Sequence, residues 1–139
     1  MHLKTEKAND YPDVVLYELN GLNRYDYVEY IAEQEKLTLK DDESISDLEL
    51  KRVFFKMELN LNSFLIALSL SNAAENAGRD VIDIQNEVQK SFGLDGLRSM
   101  SQQVFALSGM IRESTGNVKQ EGNEAGTTEE AEEQTAEKP

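Results

Sequence analysis

The 139-residue chain has no cysteine, no tryptophan, one histidine and two prolines. Without cysteine, neither a disulfide nor a thiolate metal site can form, and a reducing cytoplasm is the compartment that fits this composition best. The segment from Met1 to Asp13 lacks the apolar stretch of a secretory signal. The densest apolar run, Phe64 to Leu70, is far shorter than the roughly 20 residues that a membrane span needs. We therefore expect a cytoplasmic protein with no membrane partner.

Catalytic and cofactor-binding motifs are missing as well. The chain contains no Gly-rich phosphate loop, no GxSxG elbow and no HExxH pair. His2 follows the initiator methionine, where chain ends are usually mobile, whereas a catalytic base must be held in place. The acidic run from Asp41 to Asp47 lacks the central glycine and the downstream glutamate of a calcium loop, and it suits a solvated linker. The sequence therefore predicts no enzyme, no cofactor and no metal site.

The formal charge is −13, from 14 basic and 27 acidic residues. Such a charge opposes binding to nucleic acid, because the phosphate-driven attraction that dominates DNA affinity becomes a repulsion. It favours a basic protein partner instead. The last 25 residues, from Thr115 to Pro139, have no aromatic residue and only Val118 and three alanines as apolar side chains, too few to offset the entropy cost of ordering them. We expect residues 114–139 to be a disordered acidic tail.

The first nineteen residues predict a β-hairpin. Leu3 to Glu6 and Val14 to Tyr17 are two short, partly alternating segments, separated by a loop that contains Asn9, Asp10 and Pro12. Two strands alone are marginal in water, so the hairpin has to pack on the rest of the chain. We expect residues 1–19 to form this hairpin and residues 20–113 to form the helical domain on which it packs.

Four helices are predicted in residues 20–113. The first follows an Asn20 cap, ends near Lys36 and presents an apolar face of Leu22, Tyr25, Val28, Ile31 and Ala32. The second begins at a capping box of Ser46 and Glu49. Its apolar stripe contains Leu50, Val53, Phe54, Met57, Leu61, Phe64, Leu65 and Leu68, and its second half is apolar almost all round, which is typical of the central helix of a core. The sequence leaves open whether this helix is continuous through Asn60 and Asn62, whose side chains compete for backbone hydrogen bonds.

The third helix is predicted after Gly78, with Val81, Ile84, Val88 and Phe92 on one face and Gly93 as its end. The fourth begins near Asp95, and its apolar residues recur at the alternating spacing of three and four that is typical of lengthwise helix packing, at Leu97, Met100, Val104, Leu107 and Ile111. Gly109 beside this seam indicates either a tight helix crossing or a tolerated glycine near a fraying end. The seam suits self-association as well as an internal contact. The fold class is therefore mainly α.

All five tyrosines fall within the first thirty residues. Tyr25, Tyr27 and Tyr30 cannot share one face of a helix, so at least one of them must be exposed or half-buried. Tyrosine is favoured at protein interfaces, although it also commonly covers the boundary between core and solvent. The candidate partner-binding residues are these three tyrosines together with residues of the fourth-helix seam: Leu97, Val104, Leu107, Gly109 and Ile111.

Five segments, in their order and spacing, resemble a known family. They are HLKTE (residues 2–6), YELNGLNR (17–24), FLIALSL (64–70), IQNEV (84–88) and VFALSGM (104–110). With the Ala-, Gly- and Glu-bearing tail that follows, they are similar to the minor tail protein G family of lambda-like siphophages, which are tail assembly chaperones. The resemblance spans nearly the whole chain.

The resemblance implies a non-enzymatic protein of the infected host cytoplasm that binds the tape measure protein and promotes tail-tube assembly around it. Such a protein is absent from the mature virion. The family also makes a longer product by a minus-one ribosomal frameshift near the end of the reading frame, and the resemblance places that slip near Lys138. The added domain of the longer product recruits the tail tube protein.

Two alternatives belong to other functional classes. An acidic DNA mimic that inhibits a nucleic-acid-binding protein agrees with the net charge, but it requires regularly spaced carboxylates on rigid elements. The densest acidic cluster, Glu129 to Glu133, lies instead in the predicted tail. A structural minor tail protein is the other alternative, and it would be found in purified virions.

Overall fold

The computed structural model describes residues 2–39 and 46–110. Its elements in chain order are β1 (Thr5–Lys7), β2 (Val15–Tyr17), α1 (Gly21–Leu39), α2 (Asp47–Leu70), α3 (Val81–Ser91) and α4 (Leu94–Leu107), with a short 3₁₀ turn at Ala74–Asn76 before α3. They belong to one compact unit that extends to Ser108. The predicted mainly α fold with an N-terminal hairpin is therefore confirmed. The predicted tail, residues 114–139, lies outside the described residues.

The hairpin is short and antiparallel. Thr5 pairs with Tyr17, Glu6 with Leu16 and Lys7 with Val15. Leu16 is fully buried and faces the helices, whereas all three residues of β1 are exposed. The hairpin therefore contributes one buried strand residue to the core.

Side chains from α2, from α4 and from Ser108 just after α4 form hydrogen bonds with the backbone of the N-terminal segment. The hydroxyl of Ser69 accepts from the Tyr17 N–H at 2.7 Å and donates to the Tyr17 carbonyl at 2.8 Å. The amide of Gln103 accepts from the Asn9 N–H at 3.0 Å and donates to the Lys7 carbonyl at 2.7 Å. Ser108 accepts from the Leu19 N–H at 3.0 Å. Because these backbone groups are satisfied, the two strands can lie against the helices without a desolvation penalty.

The predicted Asn20 cap of α1 is confirmed. The Asn23 N–H donates to the Asn20 side-chain oxygen at 2.8 Å, and the Asn20 N–H donates to the Asn23 side-chain oxygen at 3.0 Å. This is the reciprocal geometry of a capping box with asparagine at both positions. The helix continues to Leu39, three residues beyond the predicted end near Lys36.

The predicted apolar face of α1 is wrong. Leu22, Tyr25 and Val28 are 69%, 61% and 60% exposed, and Ala32 is exposed as well. The buried side of α1 instead carries polar groups and tyrosines, whose partners lie on the other helices or in the turn after α2: Asn23, Tyr27, Tyr30 and Gln34. The spacing of apolar residues predicts the wrong buried face, because the inward face of this helix contacts the rest of the chain through hydrogen bonds and aromatic rings instead of aliphatic side chains.

Helix α2 is continuous, and its second half is the centre of the core, as predicted. Ser46 caps it by accepting from the Glu49 N–H at 3.1 Å. The Asn60 side chain donates to Gln34 and accepts from Gln89, both at 3.2 Å, so it does not compete for the helix backbone. Residues 63–69 are all buried. Among the described residues, α2 is the one helix whose length and composition would allow a membrane span. The second half of α2 is buried against the rest of the chain, as in a helix of a protein core.

Helices α3 and α4 pack on α2. Ile84 and Val88 of α3 are buried, and so are Leu97, Met100 and Val104 of α4. Gly93 is the N-cap residue of α4, whereas the prediction made it the end of α3.

Of the two alternatives for Gly109, the tight helix crossing is wrong, and the glycine lies at the end of the helix. The helix ends at Leu107, and Gly109 has a φ of +72° with open space where a Cβ would lie. Its role is the left-handed residue that follows a helix end. The close approach is at Gly96 instead, where the Tyr11 ring lies directly on the glycine.

Candidate partner-binding surface

The three predicted tyrosines have different environments. Tyr25 is 61% exposed, whereas Tyr27 is 9% exposed and meets Phe105 edge to face with ring centroids 6.2 Å apart. Tyr30 stacks on Phe64 with centroids 4.0 Å apart, and its hydroxyl accepts from the Gln85 amide at 3.1 Å. Tyr25 therefore presents most of its ring to solvent, while Tyr27 and Tyr30 hold α1 against α4, α2 and α3.

The predicted residues of the α4 seam are also divided. Leu97 and Val104 are 1% and 0% exposed, so they contact the other helices of this chain and offer no surface to a partner. Leu107 is half-buried, and Gly109 is exposed after the end of the helix. Ile111 lies outside the described residues. The structure therefore does not bring the tyrosines and the seam together into one surface, and Tyr25, Leu107 and Gly109 stay predictions.

Exposed apolar side chains are concentrated on α1 and at the beginning of α2. Of the ten large apolar residues exposed among the described residues, eight lie on α1 or in the first nine residues of α2. On α1 they include Leu22, Tyr25 and Val28, which we call the α1 patch. On α2 they include Leu48 (78% exposed), Phe54 (50%) and Phe55 (52%), which with the exposed Lys51 we call the α2 patch. Monomeric proteins rarely cluster apolar side chains in this way unless the surface binds something.

The sequence pattern does not predict the α2 patch, because it places Phe54 in the apolar stripe and assigns Leu48 and Phe55 to no face. Phe54 belongs to the predicted apolar stripe, and that stripe is buried only from Ser63 onwards. Leu48 and Phe55 lie off the stripe. Large apolar residues outside the stripe of an amphipathic helix are the signal that would have identified the patch.

The first half of α2 lies beside the end of α1. The two helices run antiparallel, since Asn23 bonds Asn72 at 2.8 Å at one end and Gln34 bonds Asn60 at 3.2 Å further along. Beyond that pair a cleft of about 390 Å³ opens between the helices. Its apolar lining is Leu37, Val53 and Met57, and its polar lining is Gln34, Glu49, Arg52, Lys56 and Asn60.

Two ion pairs involve residues of the first half of α2. Arg98 of α4 binds Glu58 of α2 through two hydrogen bonds, Nε to Oε2 at 2.5 Å and a terminal nitrogen to Oε1 at 3.0 Å. These hydrogen bonds lower the pKa of the Glu58 carboxyl and raise the pKa of Arg98. Arg52 binds Glu49 one turn away on the same helix, and this hydrogen bond raises the pKa of Arg52. Both pairs are exposed enough that each contributes little to the free energy of unfolding.

Among residues 2–39 and 46–110, no three histidine, aspartate or glutamate side chains are grouped closely enough to hold a metal ion. Residues 41–45 of the predicted acidic linker lie outside these ranges, and its last residue, Asp47, is the first residue of α2. The described surface has exposed apolar side chains with charged side chains beside them.

Four of the five segments that carry the family resemblance supply hydrogen bonds that connect the elements of this fold. YELNGLNR contains the Asn20 and Asn23 cap, and IQNEV contains Gln85, which bonds Tyr30 and Ser63. FLIALSL contains Ser69, and VFALSGM contains Ser108. These motifs have structural rather than chemical roles.

Comparison with known proteins agrees with the resemblance. The family described as bacteriophage lambda tail assembly chaperone, protein G, matches residues 1–135. Tail assembly protein G of Escherichia phage N15 is 29% identical over 147 aligned positions, which cover 100% of this chain and 97% of that protein. No solved structure matches the chain. The chain therefore belongs to the protein G family of lambda tail assembly chaperones.

Proposed function

We propose that this tail assembly chaperone binds the tape measure protein of the phage that encodes it and promotes assembly of the tail tube around it. It acts by binding, without catalysis, in the host cytoplasm. The observation that supports this proposal is the concentration of exposed apolar side chains on α1 and the first half of α2.

The physical reason is that a long helical protein exposes apolar faces before it is assembled. A partner can cover such faces with exposed apolar residues at helical spacing, or with a cleft between helices that accepts a large side chain. The α1 patch, the α2 patch and the cleft of about 390 Å³ offer both kinds of contact. The net charge of −13 keeps such a complex from aggregating through its remaining apolar surface.

The proposal assigns a different role to the residues after the helical body. Residues 114–139 serve as a solubilising spacer, and a minus-one frameshift near Lys138 adds a domain that recruits the tail tube protein. Neither product remains in the finished virion. Mass spectrometry of infected cells and of purified virions tests both statements, because it detects peptides that cross the shifted frame and any chain retained in particles. Chains retained in virions would favour the structural minor tail protein instead.

Binding is tested by co-purification of the full chain with its tape measure protein. The variant Phe54→Ser/Phe55→Ser removes two half-exposed rings, and central aromatic contacts are commonly worth about 2 kcal/mol or more, so we expect affinity to fall at least about thirtyfold. Ile82→Ser on α3, where Ile82 is 47% exposed, is the matched control and should change affinity little. Equal loss in both variants would contradict the assignment of the surface.

A deletion tests the division of roles. A chain that ends after Ser114 keeps all of the described residues, so we expect it to bind the tape measure protein as the full chain does. Loss of binding on this deletion would overturn the role of residues 115–139 as a spacer.

A further inference from the structure

The hairpin has one edge that the helices cover and one that they leave largely open. On β2 and just after it, the hydroxyls of Ser69 and Ser108 bond the backbone. On β1, the Gln103 amide bonds only the end of the strand, at the Lys7 carbonyl, and the Asn9 N–H that follows. All residues of β1 are exposed. The described part of the chain therefore leaves most of the outer edge of β1 open.

The backbone groups of Thr5 point out from this open edge. In an antiparallel pair, the N–H and C=O groups of successive residues point alternately toward and away from the neighbouring strand. The Lys4 carbonyl accepts from the Glu18 N–H at 2.8 Å, and the Ala8 N–H donates across the hairpin at 2.9 Å, so the even-numbered residues from 4 to 8 face β2. Residues 3, 5 and 7 face outward, and no described residue hydrogen-bonds the backbone of Thr5. An edge of this kind can pair with a further strand.

The charges along this edge are complementary to themselves in one register. If a second copy lies antiparallel with Thr5 opposite Thr5, each Lys4 lies opposite a Glu6, which makes two pairs of opposite charge. The smallest slip that keeps the backbone hydrogen bonds is two residues. In one direction it sets Lys4 opposite Lys4, and in the other it sets Glu6 opposite Glu6. Like charges directly opposite each other destabilise a pair of strands, so the charges favour the first register and oppose its neighbours.

We propose that the outer edge of β1 binds the same edge of a second copy of this chain, which joins the two hairpins into one four-stranded antiparallel sheet across a two-fold axis. Each Thr5 N–H donates to the Thr5 carbonyl of the other copy, and each Lys7 N–H donates to a Leu3 carbonyl. The Thr5 side chains meet on one face of the sheet. Lys4 and Glu6 pair on the other face. The inference is independent of the proposed function, because no step in it uses a tail protein.

The contact is short, so the dimer is weak. The bond from Gln103 to the Lys7 carbonyl removes one of the acceptors that a longer pairing would need. Interfaces well below about 1,200 Å² are transient, and we expect a Kd on the order of 100 μM. A dimer carries two copies of the α1 and α2 patches, so a partner with repeated apolar segments can be held at two sites at once.

Sedimentation equilibrium of the full chain, from about 10 μM to about 1 mM, measures the association. The variant Lys4→Glu makes both charge pairs Glu–Glu, and Glu6→Lys makes both Lys–Lys, so each variant alone should weaken the dimer about tenfold or more. In a mixture of equal amounts of the two variants, every facing pair of the hybrid dimer is again Glu–Lys. We therefore expect the mixture to associate about as tightly as the unsubstituted chain.

Two controls separate this contact from a general effect of charge. The two variants change the net charge in opposite directions, so a net-charge effect would weaken association in only one of them. Lys90→Glu makes the same charge change as Lys4→Glu at an exposed position on α3 and should leave the Kd nearly unchanged.

The variant Thr5→Pro tests the backbone hydrogen bonds. The Thr5 N–H points away from β2, so proline removes no hydrogen bond of the hairpin, but it removes one from each side of the dimer and places its ring against the added strand. We expect no dimer at about 1 mM, while far-UV circular dichroism shows that the chain is still folded.

Three results would overturn the inference. The first is an unsubstituted chain that stays monomeric at about 1 mM. The second is association that persists in both Lys4→Glu and Thr5→Pro, because another surface then joins the copies. The third is a mixture of Lys4→Glu and Glu6→Lys that does not regain association. If the chain is monomeric and Thr5→Pro abolishes co-purification with the tape measure protein, the edge binds a strand of that protein instead. Absence of co-purification with the unsubstituted chain refutes the proposed function and leaves the dimer standing.

Discussion

Replacing Ser69 with alanine should remove two hydrogen bonds between the hairpin and α2. The Ser69 side chain is 0% exposed, and its hydroxyl bonds both the N–H and the carbonyl of Tyr17, at 2.7 and 2.8 Å. Alanine fills almost the same space but leaves a donor and an acceptor without partners. Each unsatisfied buried group costs about 1–3 kcal/mol. Because Tyr17 itself is half-buried and water relieves part of this cost, we expect a loss of about 2–4 kcal/mol in the free energy of unfolding.

Urea denaturation followed by circular dichroism measures this loss. A domain of this size has a free energy of unfolding of about 5–15 kcal/mol, so a loss of 2–4 kcal/mol moves the midpoint clearly. Hydrogen exchange at the Tyr17 amide should also become faster, since that N–H loses its partner. Ser91→Ala makes the same chemical change at an exposed position and should stay within about 0.5 kcal/mol of the unsubstituted chain. If Ser69→Ala costs no more than Ser91→Ala, the reasoning is wrong.

Three further substitutions test other contacts. Gly96→Ala places a Cβ against the Tyr11 ring, 2.9 Å from two of its carbons, and should cost about 1–3 kcal/mol in a thermal melt, partly restored by adding Tyr11→Leu. Gln103→Glu puts a carboxylate oxygen where an amide now donates to the Lys7 carbonyl, so urea denaturation at pH 7 should show a loss of about 1–3 kcal/mol, with no loss contradicting the hydrogen bond. Arg98→Gln should raise the pKa of Glu58 toward its ordinary value near 4.5 in a carboxyl NMR titration. The pKa of Glu58 is lower in the folded than in the unfolded state, so its ion pair with Arg98 stabilises the fold fully above the unfolded-state pKa. This stabilisation is lost as the pH falls through the folded-state pKa, and the variant should lack this pH dependence.

The features that depend only on neighbouring residues, such as helix caps and a continuous apolar run, could be predicted from the sequence. The Ser46 cap and the Asn20 cap are visible in the sequence because each involves residues three apart. The buried second half of α2 is visible because residues 64–68 are apolar without interruption. In each case the information needed lies within a few residues of the element.

The orientation of α1 depended on distant residues. Asn23, Tyr30 and Gln34 can face inward because distant residues present partners for them: Asn72 in the turn after α2, Gln85 on α3 and Asn60 on α2. A buried face held by polar groups has no hydrophobic period, so a pattern search assigns the core to the other side. The same tertiary contacts explain why Tyr27 is buried and Tyr30 is half-buried.

The candidate surface was predicted only in part for a related reason. Tyr25 was identified, whereas the α2 patch was not. A sequence shows that the first half of α2 has an apolar stripe, but it does not show where the neighbouring helices stop covering it. The buried run begins only at Ser63, nine residues after the half-exposed Phe54.

The hydrogen bonds that fix the hairpin have a consequence for the order of folding. Leu19 is bonded to Ser108, Asn9 to Gln103 and Tyr17 to Ser69, across separations of 89, 94 and 52 residues. The hairpin is made first on the ribosome, yet its partners are made much later. Contacts so distant along the chain carry a large loop-closure cost and form late. The two strands can pair with each other early, but their hydrogen bonds to Ser69, Gln103 and Ser108 wait for those residues, so the N-terminal segment is completed only after Ser108 has been synthesised.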